Sequence, residues 1–163
     1  MAHGKVEKTN AARLLDRAKI NYELVPYEVD EEHLAATHVA EQLGEEIATV
    51  FKTLVLKGDR TGYFVCVVPG NHEVDLKAAA RVSGNKKADL IPMKELLPVT
   101  GYIRGGCSPV GMKKQFRTVF ASQALAQETI LVSAGKIGYQ VETAPQALIA
   151  LVRAGTAELT IES

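Results

Sequence analysis

Near the start of the chain the apolar positions Ala12, Leu14, Leu15 and Ala18 recur with helical spacing behind Thr9 and Asn10, either of which offers an N-cap oxygen. This predicts an amphipathic first helix. Tyr22, Leu24, Tyr27 and Val29 then read as extended chain, and Pro26, which has no N–H for a ladder, assigns that short strand to an edge. Residues 37–43, followed by Gly44, have the pattern of a short helix with a glycine stop. The apolar, β-branched run 50–56 reads as a core strand. Gly58-Asp59-Arg60-Thr61-Gly62 separates it from a second run over 63–68, which is the signature of a hairpin. Asp75 is placed to cap a helix that runs to Val82 and stops at Gly84.

Pro92 opens another helical stretch over 93–97, after which the chain enters a glycine-rich segment, 101–111, that reads as a functional loop. Strands are expected over 118–120, 129–133 and 139–142. Thr143-Ala144-Pro145-Gln146 has the pattern of a capping box ahead of an apolar helix through Val152, with Gly155 as its stop. Strands and helices intermingle without the regular alternation of a doubly wound sheet, so the expected fold class is mixed α+β, within α/β proteins at large. A mixed β-sheet flanked by helices, in a single compact domain over 1–163, follows from the absence of repeats or composition breaks.

Composition narrows the function classes. Hydrophobic residues make up 47% of the 163 and charged residues 23%, ordinary globular usage that predicts a fully folded chain. Nineteen Lys and Arg balance nineteen Asp and Glu, so no global positive field holds nucleic acid, DNA included, and any RNA contact must be local. The polar start and the short apolar runs point to a cytoplasmic protein without a membrane segment. Cys66 and Cys107 form no CxxC pair or metal-ligand spacing, so neither a metal nor any other cofactor is expected.

Several residues could carry chemistry. Glycines in 101–111 let backbone approach a ligand, although a tight connection needs the same residues. Ser108 lacks the following glycine of a nucleophile elbow, and neither a dinucleotide fingerprint nor a triphosphate loop occurs. Cys107 would need a histidine, His33, His38 or His72, to act as a thiol nucleophile. Lys52 sits in the 50–56 strand on the face opposite Phe51, where it either meets water or stabilises negative charge on a ligand oxygen. Lys86-Lys87 and Lys113-Lys114 with Arg117 are small basic clusters.

Taken in order, Phe51-Lys52-Thr53-Leu54, Asp75-Leu76-Lys77-Ala78-Ala79, Thr100-Gly101-Tyr102 to Gly105-Gly106, Ser108-Pro109, Gly111 with Lys113-Lys114, and Val132-Ser133-Ala134-Gly135-Lys136 resemble the YbaK/EbsC family of tRNA-editing domains. That family is related to the editing domain inserted in bacterial prolyl-tRNA synthetases. The resemblance implies a mixed α/β domain whose pocket receives the aminoacylated 3′ end of tRNA, with prolyl-tRNA synthetase as the expected protein partner. It assigns catalytic roles to Lys52 and Gly105, and substrate-binding roles to Tyr27, with Tyr22 as the nearby alternative, and to Gly106, Ser133 and Gly135. The implied activity is deacylation of Cys-tRNA(Pro), extending to Cys-tRNA(Cys), in which the substrate's own thiol attacks the ester and no protein nucleophile is needed. The alternatives are an Ala-tRNA(Pro) deacylase in which water attacks, and a silent tRNA- or synthetase-binding adaptor. Ala134, Ile137, Gln140 and the Leu34-Ala35 region depart from the family pattern, which bears on amino-acid preference.

Overall fold

The computed structural model describes residues 9–26 and 47–161, and the segment containing Tyr27, His33, His38 and the expected 37–43 helix lies outside them. Helix α1 (Asn10–Arg17) is capped by Thr9, whose hydroxyl accepts from the Ala12 N–H at 3.1 Å, so Thr9 rather than Asn10 is the cap. Strand β1 (Glu23–Pro26) follows and ends on Pro26 at a sheet edge, where the missing N–H has no ladder to break. Strands β2 (Phe51–Gly58) and β3 (Gly62–Pro69) form the expected antiparallel hairpin, with Gly62 at a φ of 78° closing the turn.

β3 is the hub. It pairs antiparallel with β2 on one side and parallel with β6 (Thr118–Ala121) on the other, completing a five-stranded sheet in the order β5-β2-β3-β6-β9. β5 (Ala88–Leu90) and β9 (Gly155–Ala157) are its short edges. Burial on both faces explains why β3 reads as continuous apolar sequence rather than an alternation. On one face Leu56, Phe64, Cys66, Val68 and Val119 pack beneath α2 (Leu76–Ser83) and the small ladder of β4 (Glu73–Val74) with β10 (Thr160–Ile161). On the other, Phe51, Val55, Val65, Val67 and Phe120 meet α1, the 101–111 loop and a three-stranded sheet. That second sheet has the order β1-β8-β7, with β7 spanning Ile130–Ser133 and β8 Tyr139–Thr143. A single parallel bridge, Val50 with Leu131, stitches the two sheets together.

The helix ends correct three expectations. Helix α3 (Met93–Thr100) runs past Leu97 and through Pro98 despite the backbone N–H that proline lacks, its last turn held by the Thr100 hydroxyl donating to Leu96 O at 2.7 Å and the Gly101 N–H donating to Leu97 O at 2.8 Å. Helix α4 (Pro145–Val152) has no capping box. Its N-cap is Ala144, with no side-chain bond, while Thr143 still belongs to β8 and donates its hydroxyl to Asn21 O at 2.6 Å. Proline at the first helical position pre-sets φ where the N–H would be spare. The stop is Arg153, left-handed at a φ of 56°, because Gly155 already begins β9. Asp75 and Gly84 cap α2 at both ends as expected. Among the described residues no helix is long and apolar enough to cross a membrane.

Candidate functional site

The hydrogen-bonding phase of β2 creates the site. Gly70 N–H donates to Val50 C=O, so the alternate residues Phe51, Thr53 and Val55 turn their backbone groups away from β3. Val55 C=O is met by the Ile91 N–H at 3.1 Å and β5 pairs only from Leu56 onward, while the Val50–Leu131 bridge closes the other end. Between these two closures the edge of β2 is open. A cavity of about 490 Å³ lies there, lined along its floor by Val50 to Val55 and around its walls by Leu96, Arg104, Gly105, Cys107, Ser133 and Gln140. Leu90 and Met93 form an apolar rim, with Met93 60% exposed.

Three of the residues singled out in the sequence meet here. Lys52 from β2, Gly105 from the glycine loop and Ser133 from the end of β7 all line the cavity. Half-burial holds the Lys52 ammonium below the usual lysine range, and Glu73 partly offsets this by favouring the charge. Gly105 has a φ of 85°, a left-handed conformation that aims loop backbone where a side chain at φ below zero would not. Ser133 is buried and its oxygen accepts from the Gly135 N–H at 3.1 Å, which leaves its own proton free to donate. Gly106 and Gly135 are not among the lining residues. A Cβ on Gly106 would stand 3.2 Å from Ile137 N, and one on Gly135 would stand 3.0 Å from the Tyr102 ring, so these glycines let the loop and the 133–138 turn pack together. Tyr27 lies outside the described residues.

The loop itself is stapled. Tyr102 donates its hydroxyl to Val110 O at 2.6 Å, and Thr100 Oγ1 accepts from the Tyr102 N–H at 3.0 Å. Burial pushes the Tyr102 phenol up to about 12, so it remains a donor across the physiological range. Ser108 is buried and its oxygen accepts from the Val110 N–H, which makes it a turn residue rather than a nucleophile. Cys107 lines the cavity, yet burial pushes its thiol up to about 12, far from the thiolate that nucleophilic attack requires. Cys66 is likewise raised to about 12 and sits in the core as a small apolar residue.

Sequence reasoning passed over Thr53, Arg104 and the apolar rim, and treated Gln140 only as a departure from pattern. Thr53 follows Lys52 on the strand, and by alternation it shares the Phe51 face. Gln140 is the cross-strand partner of Ser133, which puts both side chains on one face of the β7–β8 ladder. The detectable signal was an uncharged polar residue between the apolar Tyr139 and Val141 of a strand. No group of three or more His, Cys, Asp or Glu suited to a metal ion occurs among the described residues.

A mixed α+β domain with a lysine and a glycine-shaped loop lining a largely apolar cavity beside a strand edge has the form of a concave ligand site. The particular family follows from comparison. Residues 30–151 match the family model described as aminoacyl-tRNA editing domain, and the chain belongs to that family. It is 50% identical, over 94% of its length and 94% of the relative's, to EbsC of Enterococcus faecalis, a protein named as a Cys-tRNA(Pro)/Cys-tRNA(Cys) deacylase. It is 34% identical over 74 residues to a proline–tRNA ligase of Thermosipho melanesiensis, a match covering 45% of this chain and 13% of the ligase. A crystal structure described as a trans-editing enzyme for prolyl-tRNA synthetase shares the fold, with a TM-score of 0.82 at 23% identity, covering 96% of this chain and all of that one.

Proposed function

We propose that the protein is a cytoplasmic aminoacyl-tRNA deacylase that removes cysteine from Cys-tRNA(Pro), extending to Cys-tRNA(Cys), and that works beside prolyl-tRNA synthetase. The observation that carries this reading is the meeting of Lys52, Gly105 and Ser133, from three separate elements, in one cavity of about 490 Å³ with an apolar rim. A volume of that order suits a terminal nucleoside carrying a small amino acid. Leu90 and Met93 offer the rim surface on which a nucleobase packs.

An aminoacyl ester is already activated, so orientation and oxyanion stabilisation supply most of the catalysis. The cysteinyl thiol gives up its proton and the sulfur attacks the ester carbonyl carbon. A C–S bond forms and the carbonyl oxygen becomes an oxyanion facing the Lys52 ammonium, the Gly105 segment and the Ser133 hydroxyl. Collapse breaks the C–O bond to the ribose, whose oxygen takes a proton, releasing free tRNA and a cyclic thioester. Cys107 takes no part, because its thiol stays protonated. Lys52, Gly105 and Ser133 are the residues that hold the reacting centre, with Tyr27 joining them by resemblance to the family, while Gly106 and Gly135 act through the packing of the loop that presents Gly105.

The test is deacylation of Cys-tRNA(Pro) beside Ala-tRNA(Pro) at equal enzyme, with released thiol recorded. Preferential loss of cysteine is the expected result. Preferential loss of alanine would transfer the site to water attack, and tight binding without turnover on either would make the protein an adaptor.

A further inference from the structure

Two polar atoms around the cavity have no partner. Among the described residues Gln140 Oε1 and Thr53 Oγ1 are both buried and receive no hydrogen bond, and both residues line the cavity. A buried carboxamide oxygen left unpaired costs roughly 1–3 kcal/mol, a penalty that native structures seldom carry without a use for it. Gln140 is only 5% exposed and lies across the ladder from Ser133, so its carboxamide belongs to the same face as the reacting centre. The terminal torsion of a glutamine is soft, and a modest rotation turns Oε1 toward a bound ligand.

We propose that Gln140, assisted by Thr53, receives the α-amino group of the aminoacyl ester and makes the enzyme selective for esters whose amine is free. The inference rests on the deacylase reading and deepens it by defining the substrate class. A carboxamide oxygen accepts and never donates, so its partner must carry N–H or O–H. The ester carbonyl has none, so it cannot serve Gln140 Oε1, and the neighbouring ribose hydroxyl supplies a single proton, whereas the Thr53 hydroxyl can both accept and donate. An α-amino group supplies two or three. Lys52 and Arg104 line the same cavity and no carboxylate does among the described residues, so neutral acceptors hold the amine there without an ion pair. An N-acylated ester, such as the end of a growing peptide on tRNA, lacks these donors and leaves Gln140 unsatisfied. The site therefore spares peptidyl-tRNA while clearing mischarged aminoacyl-tRNA.

The probe is 3-mercaptopropionyl-tRNA(Pro), which keeps the thiol and the ester but has hydrogen where cysteine has its amine. Wild-type protein should cleave Cys-tRNA(Pro) with a kcat/KM roughly tenfold or more above that of the probe, the factor expected for one or two lost hydrogen bonds. Gln140→Met, similar in volume but without an acceptor, should lower that ratio about tenfold, towards the ratio at which the two esters react without enzyme. Gln140→Glu restores an acceptor and adds charge, so its ratio should exceed that of the wild type even if the Met variant folds poorly. A wild-type ratio retained in Gln140→Met, or a ratio not raised in a folded Gln140→Glu, would overturn the inference while leaving the deacylase reading intact. Wild-type protein that cleaves neither ester would overturn both.

Discussion

Asn85 and Gln140 are two carboxamides at nearly the same depth, 7% and 5% exposed, and their surroundings differ completely. Asn85 Oδ1 accepts from the N–H groups of Arg60 and Thr61 at 2.8 and 2.9 Å, and its Nδ2 donates to the hydroxyl oxygens of Thr61 and Ser83 at 2.9 and 2.8 Å. Ser83 passes its own proton to Ala79 O at 2.7 Å. Gly58 is cut to fit this bracket, because any Cβ there would overlap the Asn85 carboxamide. The β2–β3 turn is thus locked to the end of α2 with every donor and acceptor of the amide used. Gln140 has an equally costly position and an oxygen with no partner. Full satisfaction suits a group that holds the fold, and an unmet acceptor beside a cavity is the observation on which the ligand role proposed for Gln140 rests.

Substitutions should separate the two kinds of group. The largest loss of stability is expected for Asn85→Leu, which takes the acceptor from two backbone N–H groups and the donor from the hydroxyl oxygens of Thr61 and Ser83, at a cost of about 4 kcal/mol. Chemical denaturation measures it, and the surviving folded fraction should keep its specific activity. Lys52→Met should reverse that profile, with deacylation of Cys-tRNA(Pro) reduced about a hundredfold and the unfolding midpoint unlowered. Unchanged turnover in the folded variant would remove Lys52 from the mechanism.

Lys52 also sets a pH signature. Its ammonium is held below the usual lysine range, and the charged form is the one that stabilises an oxyanion, so activity should fall as pH rises through a midpoint lower than that of an exposed lysine. Rate–pH profiles of wild type and Lys52→Arg check this, since the guanidinium variant should keep whatever activity it has to higher pH. Gln140→Met should leave stability unchanged or raise it by up to about 1–3 kcal/mol, because an unsatisfied acceptor is removed rather than a bond. Smallest of all is the expected effect of Cys107→Ser, a rate change within about twofold, as its thiol is protonated and outside the chemistry. Complete inactivation of the folded serine variant would reinstate a thiol nucleophile.

Much of the fold was legible because its signals are local. Thr9, Asp75 and Gly84 cap helices through contacts within a few residues, and the 58–62 turn joins two runs whose composition already said strand. Thr143 misled for a physical reason: it is still a strand residue, with its hydroxyl donating to Asn21 O, 122 residues away, and the helix takes its N-cap one residue later at Ala144. The short strands β4, β5, β9 and β10 have two or three residues each, too few to show a period, and exist only because neighbouring strands offer ladders.

The candidate site divides along the same line. Residue type and order by themselves determined the family likeness, the strand carrying Lys52 and the glycine loop around Gly105, since these depend on backbone freedom and alternation that each segment carries within it. Only the tertiary structure decided that β2 stays unpaired between the Val50–Leu131 bridge and β5, and that Ser133 and Gln140 face the opening so formed. Pairing partners and unmet hydrogen bonds are properties of what surrounds a residue, and those surroundings arrive from distant parts of the chain.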